Sequence, residues 1–149
     1  MRVALLFFVF VLAGACADPA PKISTDALPD GVYEVLAVES DREALPSADE
    51  GTRVLVFDRQ FLADGDELPP EYVLLRIQGH APLALAKPPA AGEAHGRPAL
   101  LLNLDEDAGK ALQALTTRAK RAAVVVNDTI VTVHRIRVPI EGGGLQVSC

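Results

Sequence analysis

The sequence predicts an α+β fold, a mixed and mostly antiparallel sheet with one main helix packed on one face. Three observations carry this expectation. Short β-branched and apolar runs stand both before and after a single stretch of helical spacing. Within that stretch Ala108, Ala111, Leu112, Leu115 and Ala119 recur at spacings of three and four and form one apolar face. Beyond it, Asn127-Asp128 separates two apolar runs and tolerates the left-handed backbone of a tight hairpin, which makes that connection antiparallel. At 149 residues the chain has room for one such domain and not comfortably for two.

Residues 1–15 read as a signal peptide. Arg2 opens it, an unbroken apolar run covers residues 3–12, and small residues follow. The run is shorter than the ~20 apolar residues a membrane-spanning helix needs. Two exits are written in it. Residues 12–16, Leu-Ala-Gly-Ala-Cys, look like a lipoprotein box, with cleavage before Cys16 and lipid on its sulfur. Ala15-Cys16-Ala17 is also a small-x-small exit that would free the chain from Asp18. The first is favoured, because a cysteine just past an apolar run is rarely accidental. Cys16 is therefore the candidate lipidation site. The expected location is extracytoplasmic, lipid-anchored in a bacterial membrane and facing the periplasm. Residues 16–30 carry three prolines among small and polar residues and read as a tether. The other cysteine, Cys149, is then a single thiol. A Cys16–Cys149 bridge is the alternative in an oxidising compartment.

Residues 31–149 read as a single α+β domain. Residues 32–38 are a strand; residues 40–52 are polar and turn-rich, with room for one helical turn. Residues 53–57 and 72–77 are strands, separated by a loop with Gly65 and Pro69-Pro70 as breakers. Residues 79–98 hold four prolines and three glycines, which predicts a long loop with a brief helical piece. Residues 98–104 form a nearly continuous apolar run, as a buried central strand does. Asp105 then has the character of a helix N-cap, with Glu106 and Asp107 at the positive end of the helix dipole. Arg118, Lys120 and Arg121 stand at the opposite end, where cations are favoured.

Residues 122–133 are a strand, the Asn127-Asp128 turn and a second strand. Val131 and Val133 are odd-numbered while Ile136, Val138 and Ile140 are even, so a bulge is expected near His134 and Arg135. Pro139 marks an edge or a strand end. Gly142, Gly143 and Gly144 form a turn, and residues 145–149 a final strand. The expected core is Val54, Val56, Val73, Leu75, Leu100, Leu102, Leu112, Leu115, Val124, Val126, Val131 and Val133.

The C-terminal part of this pattern resembles a known family. An apolar strand leads to an acidic helix start with Gly109. The helix ends in Leu115-Thr116, and a three-valine strand enters a tight turn. A second strand reaches Arg137-Val138-Pro139-Ile140, and a glycine pair leads to Leu145-Gln146-Val147-Ser148. This order is similar to the head subdomain in the large first periplasmic domain of SecD, the membrane subunit of protein export. The likeness covers residues 72–149. It departs from the usual family turn, Asp-Gly, at Asn127-Asp128, and Cys149 replaces the closing glycine. The resemblance implies an α+β head outside the cytoplasm that contacts a translocating chain without catalysis. Sec machinery or an exported polypeptide is the implied partner. SecD itself drives motion through membrane helices with an intramembrane acidic residue. Residues 1–149 hold no such segment, so proton-driven pulling is not expected of this chain by itself.

Composition narrows the function further. Fourteen basic against twenty acidic residues give a net charge of −6, which argues against nucleic acid as a partner. No nucleophile elbow, zinc-helix, phosphate-loop or dinucleotide motif occurs. Residues 63–67, Ala-Asp-Gly-Asp-Glu, lack the ligand spacing of a calcium loop and read as a solvated turn. His80, His95 and His134 show no metal spacing with the cysteines. The glycines at 142–144 precede no helix and so read as a hairpin loop, not an anion cradle. No cofactor, metal or catalytic residue is expected. The leading expectation is a non-enzymatic, membrane-tethered binding or accessory module. A polypeptide would add along an exposed strand edge, residues 131–138 or the final strand. One alternative is a small secreted hydrolase or metal-dependent enzyme using His134 with a carboxylate such as Asp128. The other is a purely structural envelope lipoprotein.

Overall fold

The computed structural model describes residues 27–59, 68–94 and 96–148. The signal peptide, Cys16, most of the tether, the acidic stretch 63–67, His95 and Cys149 lie outside them. The chain runs through β1 (Gly31–Glu39), a 3-10 turn (Arg42–Ala44), β2 (Thr52–Phe57), β3 (Glu71–Pro82), β4 (Leu85–Ala94) and β5 (Arg97–Leu104). It continues through α1 (Glu106–Arg118), β6 (Arg121–Val126), β7 (Thr129–Arg135) and β8 (Gly144–Ser148). This is the α+β class expected from the sequence, with one helix packed against a curled sheet.

The local signals at the centre of the chain act as anticipated. The Asp105 carboxylate accepts from the Ala108 N–H at 2.8 Å and caps α1. Asn127 and Asp128 take φ of 50° and 59°, the left-handed pair of a two-residue hairpin turn.

The strands form two antiparallel sheets, not one. Five strands lie in the order β2-β3-β1-β6-β7, and three in the order β4-β5-β8. The second sheet arises partly where a long loop was expected, because the proline-rich segment becomes the end of β3 and all of β4. Proline removes a ladder donor and is tolerated on edge strands and at irregularities. Here β4 is an edge strand, and Pro88 and Pro89 fall in the register shift between Lys87 and Ala90, where ladder pairing is skipped.

The five-stranded sheet curls until β2 and β7 approach one another. Its concave face buries Tyr33, Val35, Phe57, Val73, Leu75, Ala123, Val125 and Ile130. On the convex side Val32, Ala81, Ala122 and Val124 meet Leu112 and Leu115 of α1 and Leu102, Leu104, Leu145 and Val147 of the smaller sheet. Three expected core residues are instead exposed: Val56, Leu100 and Val131. Leu100 pairs with Val147 but is 42% exposed. In β2 the parity is reversed, with Phe57 buried and Leu55 packed against the same core.

Val131 is the extra residue of a bulge. Val124 pairs with Thr132 and Val125 with Ile130, so two β7 steps oppose one on β6. The expected bulge near His134 and Arg135 therefore sits three residues earlier. The strand also ends at Arg135, and residues 136–141 cross irregularly toward β8.

Leu28–Asp30, at the end of the expected tether, are docked. Leu28 is buried, and its N–H donates to Asp128 Oδ1 at 3.1 Å. Asp30 Oδ1 accepts in return from the Asn127 N–H at 2.8 Å. The Asp128 Oδ2 pairs with Arg53 of β2 at 3.1 Å, which bridges the two edges of the curl. Among the described residues no helix is long and apolar enough to cross a membrane.

Candidate functional site: an apolar cavity beside an open strand edge

Residues 136–141 and α1 border an apolar recess. Ile136 N–H donates to the Lys120 carbonyl at 2.9 Å, and Ile140 N–H to Thr116 Oγ1 at 3.0 Å. Thr116 is buried, and its hydroxyl donates back to the Leu112 carbonyl at 2.8 Å. These bonds tie the crossing segment to the end of the helix, and Ile136 and Ile140 line a cavity of about 310 Å³. Val32, Leu112, Ala122, Val124 and Leu145 complete its apolar wall.

The other wall is the edge of β8. Gly144, Leu145 and Gln146 all line the cavity. Consecutive strand residues point to opposite faces, so three in a row can touch one cavity only along the strand's edge. β8 pairs with β5 on one side and with no strand on the other among the described residues. Gly142 and Gly143 make the turn before it, at φ of 71° and 69°. A side chain at Gly109 would bring its Cβ to 3.2 Å from the Gly143 Cα, so helix and turn meet backbone to backbone there. The Gly143 carbonyl also accepts from the Leu104 N–H at 2.9 Å. The glycine turn is thus a packed support for the cavity rim.

Of the two expected edges, β8 is the open one. Residues 131–138 do not form a continuous strand, and the outer edge of β7 faces β2 across the closure of the curl.

His134 also lines the cavity. Its Nε2 and the Thr132 hydroxyl share a hydrogen bond of 3.2 Å, and burial lowers its pKa. The structure does not bring it to Asp128. His134 lies opposite Ala122, whereas Asp128 is in the turn beyond Val126. Four strand residues separate those levels, roughly 13 Å at ~3.3 Å each. Both Asp128 oxygens are engaged elsewhere. With Thr116 and Gln146, His134 supplies the polar points of a mainly apolar wall. His80 is taken up by packing: its ring stacks on Tyr33 at 4.8 Å and 7°, and its Nδ1 lies 3.2 Å from the Ile77 carbonyl. Among the described residues no group of three His, Cys, Asp or Glu side chains could hold a metal ion.

Sequence reasoning missed Thr116 as the latch for the cavity rim, and it placed Ile136 and Ile140 on a strand. Their four-residue separation was the available signal. It was read as strand alternation because no local feature marks where β7 stops.

Tyr33, fully buried in the concave core, yields a pH prediction. Its hydroxyl donates to the Pro29 carbonyl at 2.6 Å. Burial first, then the charges of Asp30 and Asp128, push its pKa up to about 12. The folded state therefore prefers the neutral phenol. That preference is fully present below pH ~10 and is lost as pH rises toward 12, a change of roughly 2–3 kcal/mol. Urea midpoints between pH 8 and 12 should fall in the wild type, and the fall should be shallower in Tyr33→Phe.

Comparison with protein-family models, curated proteins and solved structures finds no match to this chain.

Proposed function

We propose that this protein is a non-enzymatic binding or accessory module, held outside the cytoplasm by lipid on Cys16, that takes an extended polypeptide along β8. The observation that carries this reading is the cavity of about 310 Å³ lying directly against an unpaired strand edge. An added strand forms main-chain hydrogen bonds, and a neighbouring apolar recess receives one of its side chains; together these give affinity and selectivity. The recess is the size of a small ligand pocket and its wall is mainly apolar. The likeness to the SecD head supports an exported or unfolded chain as the partner. The short apolar leader before Cys16 supports the location. Leu28, twelve residues beyond Cys16, is where a tether from a lipid anchor would join the folded body.

The test uses the full chain and an extended apolar peptide with one large aliphatic residue. Backbone amide shifts should concentrate at residues 144–148, with slowed hydrogen exchange there. Ile136→Lys, which places a charge at the cavity mouth, should weaken binding about tenfold or more. Shifts confined to other surfaces, or unchanged affinity in Ile136→Lys, would refute the site. Incorporation of labelled palmitate that survives Cys16→Ser would refute the anchor.

A further inference from the structure

The cations at the end of α1 are not explained by the site just described. Helix-end electrostatics requires only that positive charge stand near the last turn. Their arrangement goes further. Arg121 and Arg135 are directly opposite in the β6–β7 ladder, and like charges so placed cost stability. Lys120 adjoins them. Among the described residues no carboxylate forms an ion pair with any of these three.

Lys120 and Arg121, with Arg118, border a notch in the curled sheet. β1 continues to Glu39, yet β6 pairs it only from Gly31 to Glu34. On that side Val35–Glu39 have no strand neighbour among the described residues. A groove of about 560 Å³ occupies the place, lined by every residue from Glu34 to Glu39 together with Arg118, Lys120 and Arg121. Six consecutive residues along one groove again mean a backbone edge. It is about 16 Å long over the five unpaired residues at ~3.3 Å each. Leu36, the extra residue of the bulge that β1 forms against β3, is 38% exposed there. The Glu34 carboxylate is engaged by Arg76 at 2.9 Å and Arg118 at 3.3 Å. It leaves Lys120 and Arg121 without a counter-charge. Glu39 stands at the far end of the groove.

We infer that this notch is a second docking site, which takes an acidic polypeptide segment in extended form as an added strand on Val35–Glu39. The unpaired N–H and C=O groups of β1 supply the periodic hydrogen bonds, and Leu36 supplies an apolar contact. An acidic side chain near Lys120 and Arg121 completes the pairing and relieves the Arg121–Arg135 repulsion. A chain of net charge −6 repels acidic partners elsewhere, so this local reversal of sign determines where such a partner lands. Glu39 sets the register, because it disfavours acidic residues at the opposite end. A free phosphate or lipid headgroup would need the cations and not the open edge; the edge selects a polypeptide.

The site is separate from the cavity at β8, and its test has a separate readout. The full chain is titrated with an eight-residue peptide of alternating Glu and Val. Amide shifts and slowed exchange are expected at residues 35–39, and affinity should fall steeply with salt. Lys120→Glu combined with Arg121→Glu, both exposed positions, should weaken binding about tenfold or more while the thermal midpoint is retained. The same peptide N-methylated at alternate backbone nitrogens should not bind. Equal binding of the N-methylated peptide, or full competition by inorganic polyphosphate at equal charge, would reduce the notch to a polyanion surface and overturn the proposal. Shifts mapping to residues 144–148, or unchanged affinity in the double variant, would overturn it too.

Discussion

Leu112→Ala is expected to destabilise the protein by about 3–5 kcal/mol, read from urea unfolding. Leu112 is fully buried between α1, the convex face of the curled sheet and the smaller sheet. Truncation removes apolar burial and leaves a void beside an existing cavity whose wall Leu112 forms. The neighbours cannot collapse into it, because Thr116 and Ile140 are pinned together by a hydrogen bond. The convex core is the apolar contact that joins α1, β5 and β8 to the curled sheet. Hydrogen exchange should therefore accelerate more at residues 97–104 and 144–148 than at residues 71–75, where Val73 and Leu75 belong to the concave core. A loss below about 1 kcal/mol, or uniform acceleration, would mean that the two layers are not joined through this residue.

Asp128→Ala should cost about 2–4 kcal/mol. Its carboxylate serves two partners that lie far away in sequence: the buried Leu28 N–H and the Arg53 guanidinium. Alanine leaves that N–H without its acceptor and removes the bridge between β2 and the β6–β7 turn. Asp128→Asn keeps an acceptor for Leu28 and loses only the charge, so its cost should be smaller, about 1 kcal/mol. Equal costs for the two variants would place the whole effect in the Arg53 pair. The alanine variant should also make residues 27–30 more accessible to protease, since the segment loses the hydrogen bond that ties Leu28 to the hairpin turn.

The prolines of β4 illustrate how a correct local rule led to an incorrect element. Pro88 and Pro89 do break a ladder, and residues 79–98 read as a loop for that reason. The smaller sheet accommodates both by skipping pairing between Lys87 and Ala90. Only the position of β5 alongside shows that this skip is affordable. The cavity was similarly hidden. Its polar latch, Thr116, is unremarkable in sequence, and Ile136 and Ile140 fit a strand pattern until β7 is seen to end at Arg135.

By itself the sequence determined the capped helix at Asp105, the left-handed turn at Asn127-Asp128, and the strand character of the runs that became β1, β2, β5, β6 and β8. Capping, backbone handedness and residue periodicity are settled among neighbours a few positions apart. Tertiary structure alone decided the division into two sheets, the curl, and the two open edges with their recesses. Those features rest on partners such as Leu28 with Asp128, 100 residues apart, and Glu34 with Arg118, 84 apart. They depend also on β6 being too short to cover β1, a mismatch between two strands that neither strand encodes in its own residues.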